Sequence, residues 1–249
     1  MIELSKISTR PPENLTKKIA QEKTKELAKR IGELQHLMMA QGKHSLLVVF
    51  QGMDASGKDG AVKKVFSKVP ANGIKVHSFK KPTDEELAHD FLWRIHKQCP
   101  EKGMIQIFNR SQYEDILIQR VHGWITEEHV EKRMAAINAF EQLLEFDNQT
   151  IILKFYLHLS KAQQELELKE RIENPTKYWK HNDGDWKERE YWDEYQKCYH
   201  YILNESKIPW TITPVDVRWY RDYIVANTIV DKLESLNMQY PELESKMFK

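Results

Sequence analysis

The sequence has few cysteines, no long apolar run and no excess of charge of one sign. Only Cys99 and Cys198 occur in 249 residues, and they do not form the closely spaced pairs typical of zinc sites or disulfide frameworks. No apolar stretch approaches the roughly 20 residues of a membrane-spanning helix, and no segment resembles a signal peptide. We therefore expect a soluble, cytoplasmic protein with no membrane partner.

Charged residues are abundant but balanced, with 38 lysines and arginines against 37 aspartates and glutamates and a net charge of +1. A protein that coats nucleic acid carries a strong positive excess, so we expect no nucleic-acid partner. A polyanionic ligand would have to be held by cations gathered in a cleft. The length allows one large core, or one domain with appendages.

A glycine-rich turn lies between an apolar run and an amphipathic segment. The run at residues 46–50 is typical of a buried strand; Gly52-x-x-x-x-Gly57-Lys58 follows, and then apolar residues at helical spacing. This order predicts a P-loop, because the turn exposes backbone N–H groups and the helix N-terminus carries positive potential. A chance glycine-rich turn is the alternative. The residues expected to contact phosphate in this loop are Gly52, Ala55, Ser56, Gly57, Lys58 and Asp59.

Two acidic residues depart from the usual pattern of such a loop. Asp59 stands where a serine or threonine usually offers its hydroxyl to magnesium, and Asp54 lies inside the loop itself. A carboxylate beside a polyanion is costly by repulsion unless it holds a cation, so we predict that Asp54 contacts a metal ion. The alternative is a solvated turn residue that caps the following helix.

Apolar runs at residues 46–50, 74–79, 104–108, 150–159 and 209–215 alternate with segments of helical periodicity. This alternation predicts an α/β fold with three layers, in which helices flank a parallel sheet of five strands. We divide the chain into an N-terminal helical extension, 1–44, and a P-loop core, 45–249, with a lid insertion at about 171–191. The amphipathic helix at 14–40 is expected to pack on the core or on a partner, and we favour packing.

Two pairs of residues have the spacing of a capping box, in which a helix N-cap and the third helical residue exchange hydrogen bonds. Thr83 and Glu86 predict the start of a helix whose apolar face includes Leu87 and Ile95. Ser111 and Glu114 have the same spacing. A capping role for Glu114 therefore competes with a catalytic one.

The third strand ends in a polar cluster, Asn109-Arg110-Ser111-Gln112-Tyr113-Glu114-Asp115. Open parallel sheets bind ligands at the carboxyl ends of their strands, so this cluster should lie beside the P-loop. Arg110 would neutralise phosphate charge, unless it is a surface or core-paired arginine. Asp54 with Glu114 or Asp115 would bind magnesium, directly or through water.

A polar segment rich in aromatic residues separates the fourth and fifth strands. A helical hairpin with a basic tip at this position is typical of a lid that closes over phosphates and excludes water. A solvated charged loop is the alternative. The lid cations expected to bind phosphate are Arg171, Lys177, Lys180 and Arg189.

Phosphoryl transfer requires in-line positioning, magnesium and several cations, and the residues above can supply each. Transfer to a phosphate oxygen needs no general base, because that oxygen is already ionised. We therefore assign His122 to structure or binding rather than to acid–base catalysis.

Taken together, Gly52-Met53-Asp54-Ala55-Ser56-Gly57-Lys58-Asp59-Gly60, Phe108-Asn109-Arg110-Ser111-x-Tyr113-Glu114-Asp115, Tyr178-Trp179-Lys180, Trp192-Asp193-x-Tyr195 and Pro209-Trp210 resemble the family-two polyphosphate kinases. The matching blocks extend from about residue 45 to 235. The family is similar to thymidylate kinases in fold, with a parallel sheet and a helical lid.

The resemblance implies inorganic polyphosphate as donor, adenine or guanine nucleotides as acceptors, Mg2+ or alternatively Mn2+ as cofactor, a reversible reaction, and homodimers or homotetramers. Many members have Asp-Arg-Ser, with the aspartate as a metal ligand, where this chain has Asn109-Arg110-Ser111. Asn109 is neutral and a weaker magnesium ligand, which makes Glu114 the more interesting candidate. The Asn-Arg-Ser form with Glu114 resembles the subclass that phosphorylates both AMP and ADP. The residues implied to face the acceptor are Lys80, Lys81, Pro82, Thr83, Asn109 and Tyr113; ordinary solvent-facing lysines remain the alternative for Lys80 and Lys81.

Two other function classes remain open. An ATP-dependent nucleoside monophosphate kinase would share the P-loop and lid, but would need a surface that binds the adenine of its donor. A P-loop switch protein would turn over slowly and usually has an aspartate at the end of the third strand, a position that Asn109 fits poorly.

Overall fold

A sheet of five parallel strands forms the centre of the computed structural model, which describes residues 1–245 and residue 247. The strands are β1 Ser45–Gln51, β2 Ile74–Ser78, β3 Ile105–Asn109, β4 Thr150–His158 and β5 Trp210–Pro214. They lie in the order β2-β3-β1-β4-β5. Each overlaps a predicted strand to within one residue at either end, so the predicted α/β architecture is confirmed.

The helices of the described residues are α1 Lys17–Gln41, α2 Lys58–Val65, α3 Asp84–Leu87, α4 Trp93–His96, α5 Glu114–Val121, α6 Glu127–Asn148, α7 Lys161–Glu173, α8 Asp183–Glu188, α9 Trp192–Glu205 and α10 Arg218–Glu234. A 3₁₀ segment, Pro175–Lys180, follows α7. Within this part of the chain, no helix combines the length and apolarity needed to cross a bilayer.

Successive side chains of β1 point to opposite faces of the sheet and bury into two separate cores. Leu47 and Val49 pack with α5, α6 and α9, whereas Leu46 and Val48 pack with α1, α2 and α10. Parallel sheets covered on both faces have continuous apolar strands, which explains the uninterrupted run in β1. The result is the predicted three-layer arrangement.

The N-terminal helix α1 packs on the core of its own chain. Thr16 caps its first turn by accepting a hydrogen bond from the Ile19 N–H, and Gly42 ends it in the left-handed conformation. Ile31 and Met38 are fully buried, whereas Ile19 is 45% exposed and lies outside the apolar stripe.

The helix predicted after Thr83 is shorter than its sequence pattern suggested. Thr83 and Glu86 do form the capping box, but α3 ends at Leu87, whose side chain is exposed. The Asp90 carboxylate accepts a hydrogen bond from the Leu92 N–H at 3.0 Å, which starts a new turn and separates α4 from α3. The prediction of one continuous helix was wrong for this reason.

The order of the strands determines where a ligand site is expected on the sheet. β1 lies between β3 and β4, so the connection from β3 to β4 carries the chain from one side of β1 to the other. Ligands of open α/β sheets bind at such a point, outside the carboxyl ends of the strands. The loop after β1 and the turn after β3 therefore meet at one edge of the sheet.

Candidate active site

The loop between β1 and α2 has a conformation that requires glycine. Gly57, directly before α2, has a φ of +85°, which L residues rarely adopt. A side chain there would also collide with the guanidinium of Arg221, which donates a hydrogen bond to the Gly57 carbonyl at 3.0 Å. The loop therefore ends at a helix N-terminus, where free N–H groups and the helix dipole favour an anion.

The ammonium group of Lys58 lies inside this loop. Its Nζ donates to the carbonyl oxygens of Gly52 at 2.8 Å and Met53 at 3.2 Å. Burial lowers the pKa of Lys58, the Arg110 charge lowers it further, and the carboxylate of Asp54 opposes both. A bound phosphate would add negative charge beside a buried cation that is otherwise only partly compensated.

Asp54 and Arg110 form an ion pair that bridges the loop after β1 and the turn after β3. Burial by itself would raise the pKa of Asp54, but the charges of Arg110 and Lys58 outweigh it and hold the pKa below its ordinary value. The Asp54 carboxylate in turn raises the pKa of Arg110. Both groups are therefore charged at neutral pH.

The backbone at Arg110 is strained. Its φ is +64°, in the left-handed region, and its N–H donates to the Phe50 carbonyl at 3.0 Å. This conformation costs a non-glycine residue about 1–2 kcal/mol and persists only where neighbouring structure enforces it. The turn after β3 therefore directs the Arg110 guanidinium towards Asp54 in the P-loop.

Glu114 does not cap α5. The Ser111 side chain accepts no bond from the Glu114 N–H, which instead donates to the Ser111 backbone carbonyl at 3.0 Å. The Gln51 amide, oriented to satisfy both neighbours, donates to Glu114 Oε1 at 3.0 Å and accepts from Ser111. The capping interpretation of Glu114 was wrong. Its carboxylate lines a cavity of about 250 Å3 together with Asp54 and Arg110.

The segment between β4 and β5 folds as a helical hairpin above the P-loop. Arg171 of α7 and Lys177 and Lys180 of the 3₁₀ segment line one cleft of about 610 Å3 with Lys58 and Arg110. Arg171 forms an ion pair with Asp185 across the hairpin, and Lys177 forms one with Glu170. The structure therefore brings three of the four predicted lid cations to the P-loop.

One cleft is thus lined by the P-loop, by the arginine that follows β3 and by the cations of the helical hairpin. The sequence profile of the polyphosphate kinase 2 family matches residues 14–241. The chain belongs to the polyphosphate kinase 2 family. It is accordingly an enzyme of the phosphotransferase class.

Individual relatives agree with this assignment. The chain is 46% identical over 222 residues to an AMP/ADP-polyphosphate phosphotransferase of Meiothermus ruber, which covers 88% of this chain and 83% of the relative. It is 42% identical over 228 residues to an ADP-polyphosphate phosphotransferase of Rhodopseudomonas palustris, with 86% and 78% covered. The crystal structure of polyphosphate kinase 2 from Arthrobacter aurescens TC1 superimposes with a TM-score of 0.94 at 37% identity, over 98% of this chain and 89% of that one.

Two residues of the polyphosphate kinase 2 motif after β3 lie outside the cleft, contrary to prediction. Tyr113 is fully buried, and its hydroxyl bonds Glu141 and Lys154 in the core, so it cannot contact a nucleotide. Asp115 is buried beside Arg94, with Oδ2 at 3.4 Å from the guanidinium, and lines neither phosphate-site cavity. A metal role for Asp115 was therefore wrong.

Arg189 also serves the fold rather than the cleft. Its guanidinium donates to the Lys161 carbonyl and to Gln164, each at 2.8 Å, and pairs with Glu165. These contacts join the far end of the lid to the start of α7. Contrary to the prediction that it binds phosphate, Arg189 lies outside the lining of the cleft.

Of the residues predicted after β2, only Lys80 lines the cleft. Thr83 is occupied as the cap of α3, and Lys81 and Pro82 lie outside the lining. Asn109 does line it, and its Nδ2 donates to Asp59 Oδ1 at 2.6 Å. Asp59, in the first turn of α2, is thus held by an amide.

The cleft also contains residues that sequence reasoning missed. Arg218 and Arg221, in the first turn of α10, line it together with Trp179 and Asn182. Arg221 is 4% exposed and pairs with Asp222 while it bonds Gly57. A signal existed, because both arginines follow the carboxyl end of β5 at the spacing of one helical turn.

The carboxylates beside Arg110 decide whether a divalent cation fits. Asp54, Glu114, Asp185 and Glu188 line the smaller cavity, yet no three His, Cys, Asp or Glu side chains within residues 1–245 and 247 are arranged as a complete metal cage. Burial raises the pKa of Glu114, and Asp54 adds to this rise. Mg2+ typically takes one or two carboxylates plus substrate phosphates and water, which this arrangement fits.

His122, at the end of α5, contacts the lid. Its Nε2 lies 3.1 Å from both carboxylate oxygens of Glu188, and its ring stacks on Trp124. The Tyr195 hydroxyl donates to the same carboxylate at 2.6 Å. These contacts fit the structural or binding role expected of His122.

Proposed function

We propose that the protein transfers phosphoryl groups from inorganic polyphosphate to AMP and ADP, reversibly and with Mg2+. The observation that carries this proposal is the single cleft of about 610 Å3 shared by the P-loop, Arg110 and the lid. A donor of linked phosphates needs cations along a path, rather than at one point.

The charge of the cleft supports a polyanionic donor. The lining has twice as many cationic side chains as carboxylates, although the whole chain has a net charge of only +1. Walls of low dielectric concentrate such a field and raise the local concentration of an anionic substrate. The cations are Lys58, Lys80, Arg110, Arg171, Lys177, Lys180, Arg218 and Arg221; the carboxylates are Asp54, Asp59, Glu167 and Asp185.

The reaction needs positioning and charge rather than covalent catalysis. The transition state spreads negative charge over the equatorial oxygens of the transferred phosphoryl group. Lys58 and the N–H groups at the start of α2 would hold the donor phosphate, and Arg110 would meet the developing charge. The terminal phosphate of AMP or ADP is an ionised nucleophile, so no general base is required.

Asp54 and Glu114 are the residues that would hold Mg2+, with Mn2+ as an alternative ion. When bound, the ion would neutralise phosphate oxygens. Asp54 is charged at neutral pH because Arg110 and Lys58 hold its pKa down, so it is available as a ligand. Asn109, which is neutral and bonded to Asp59, is the poorer candidate.

The choice of AMP and ADP as acceptors rests on relatives. The Meiothermus ruber relative carries both nucleotides in its name, and it is the more similar of the two curated proteins described above. The motif Asn109-Arg110-Ser111 with Glu114, which resembles the subclass that phosphorylates both AMP and ADP, agrees with this choice. The homodimer or homotetramer and the cytoplasmic location stay predictions. Light scattering of the purified protein would measure its oligomeric state.

A coupled assay tests the proposal. Protein, Mg2+, long-chain polyphosphate and ADP are mixed without any nucleoside triphosphate, and ATP is read by luciferase light. We expect ATP that depends on polyphosphate, and ADP when AMP is the acceptor. Phosphorylation of AMP by ATP without use of polyphosphate would instead indicate an ATP-dependent kinase. Tight phosphate binding without product in either direction would indicate a switch protein.

A further inference from the structure

A buried ion pair lies beneath the turn that carries Arg110 and Glu114. Lys154, in the middle of β4, donates from Nζ to Glu141 Oε2 of α6 at 2.6 Å. The Lys154 and Glu141 side chains are 0% and 1% exposed. Neither lines the phosphate cleft or the smaller cavity beside Arg110. No role in contacting substrate accounts for this pair.

The pair is bonded to the turn itself. Glu141 Oε1 accepts hydrogen bonds from Gln112 Nε2 at 3.0 Å and from the Tyr113 hydroxyl at 2.9 Å. Lys154 Nζ donates to the same hydroxyl at 2.6 Å. One carboxylate thus holds two of the three residues that lie between Arg110 and Glu114 in the chain.

Stability alone does not explain this arrangement. Burial lowers the pKa of Lys154 and the neighbouring Glu141 carboxylate opposes this, so desolvation offsets part of what the pair gains. Buried ion pairs can often be replaced by apolar residues of similar volume without loss of stability. Where such a pair is retained, fixing one conformation is its best-supported use.

The turn has a conformation that needs fixing. Arg110 has a φ of +64°, and a strained residue of this kind persists only where the surrounding structure holds it. On one side β1 holds it, because the Arg110 N–H donates to the carbonyl of Phe50 in that strand. On the other side, the side chains of Gln112 and Tyr113 are held by Glu141.

We propose that Glu141 and Lys154 are positioning residues, which act through Gln112 and Tyr113 to keep Arg110 and Glu114 in their productive geometry. This inference rests on the proposed phosphoryl transfer. Neither residue touches the reacting atoms. Their effect is on the turn, whose small displacement would move two charged groups away from the transferred phosphate.

The test compares two double variants that differ in one hydrogen-bond acceptor. Glu141→Gln/Lys154→Met removes both charges but keeps an oxygen for Gln112 and Tyr113. Glu141→Leu/Lys154→Met removes the oxygen as well. Ser45→Ala/Thr150→Val is the control, because Ser45 and Thr150 form a buried 2.9 Å pair at the opposite end of β1 and β4.

We expect the Gln/Met variant and the control to retain kcat within about threefold of wild type. The Leu/Met variant should lose about 10- to 100-fold in kcat with an unchanged KM for ADP, because a displacement of about 1 Å is enough for such a loss. In an Arg110→Ala background the same change should cost less activity than in wild type, since one of the two affected groups is already gone. Amide exchange in residues 109–115 should be faster in the Leu/Met variant.

Equal kcat in folded Leu/Met and Gln/Met variants would overturn the proposal, as would an undiminished loss in the Arg110→Ala background. If circular dichroism shows the Leu/Met variant unfolded, Gln112→Met/Tyr113→Phe is tested instead, because it releases the turn and keeps the Lys154–Glu141 ion pair. Its kcat should fall as predicted for the Leu/Met variant, and a kcat close to wild type would overturn the proposal. A wild-type protein that forms no ATP would refute the proposed function. Amide exchange would then decide the positioning role without reference to activity.

Discussion

The guanidinium of Arg110 pairs with the carboxylate of Asp54, and this contact joins the turn after β3 to the P-loop after β1. Each residue belongs to a different strand end, and Lys58 lies in the same cleft. The pair places a cation beside the carboxylate that we propose as a ligand of Mg2+. Preorganised charge of this kind needs no rearrangement when charge develops on the phosphoryl group.

Arg110→Ala should lower kcat by about 10²- to 10³-fold, the loss typical of removing one group that stabilises developing charge. Initial rates of ATP formation at saturating ADP and polyphosphate measure this. Arg133→Ala is a control, because Arg133 bonds the Asp115 carbonyl and Gln119 outside the cleft. A kcat within threefold of wild type would contradict the role given to Arg110.

The backbone strain at Arg110 can be separated from the charge of its side chain. Arg110→Gly should be more stable than Arg110→Ala by about 0.5–1 kcal/mol, because glycine adopts positive φ without steric cost. Both variants should have equally low activity. Urea unfolding curves give the difference in free energy of unfolding. Equal stability of the two variants would show that the left-handed backbone carries no strain.

Glu114→Gln should lose activity without losing its helix. Glu114 is not the cap of α5, and its carboxylate lines the cavity beside Asp54. We expect kcat to fall by about 10²-fold or more if it helps hold Mg2+, while circular dichroism stays unchanged. Normal kcat with a lower melting temperature would restore the capping interpretation.

The same substitution gives a pH-dependent prediction. Burial raises the pKa of Glu114 in the folded state, so ionisation at neutral pH destabilises the fold. Glu114→Gln should therefore have a higher melting temperature than wild type at pH 7–8. The difference should shrink as pH falls through the raised native pKa and vanish below about 4, the range of an unperturbed glutamate. A difference that grows as pH falls would contradict the raised pKa.

Asp54→Asn should weaken the response of the enzyme to Mg2+. The amide keeps the size of the side chain but loses the charge that a divalent cation requires. The rate should fall, and part of it should return when Mg2+ is raised. Glu167→Gln is the matched control, since Glu167 lines the same cleft but pairs with Arg218. The same Mg2+ dependence in both variants would remove Asp54 from the metal site.

The lid cations should act on donor affinity. Lys180→Ala should raise the KM for long-chain polyphosphate several-fold with little change in the KM for ADP, and the effect should weaken in high salt. Lys169→Ala is the control, because Lys169 lies on α7, pairs with Glu165 and does not line the cleft. Equal KM values for the two variants would mean that the hairpin does not hold the donor.

Local sequence signals predicted the parts of the site that depend on adjacent residues. The P-loop follows from one strand, one glycine turn and one helix, and Arg110 follows from the rule that strand ends of a parallel sheet meet. Tyr113 was misplaced because a motif does not reveal which side chains turn inward. The residue two positions before it, Ser111, is equally buried.

Contacts between distant segments gave weaker signals. Lys154 interrupts an apolar strand, which is a warning of a buried charge, but its partner Glu141 lies on another helix at no characteristic spacing. Arg221 reaches Gly57 from 164 residues away. Its position follows only once β5 is known to lie beside β4. Side-chain pairing across elements is therefore what the sequence alone left undetermined.

The most direct measurement is the transfer of phosphate from polyphosphate to ADP, followed by phosphorus NMR in wild type and two lysine variants. Wild type and Lys63→Ala, which changes an exposed lysine of α2 outside the cleft, should form ATP at similar rates. Lys58→Ala should lose at least about 10²-fold, because it removes the cation inside the P-loop. Absence of transfer in wild type, or equal rates for Lys58→Ala and Lys63→Ala, would contradict the account.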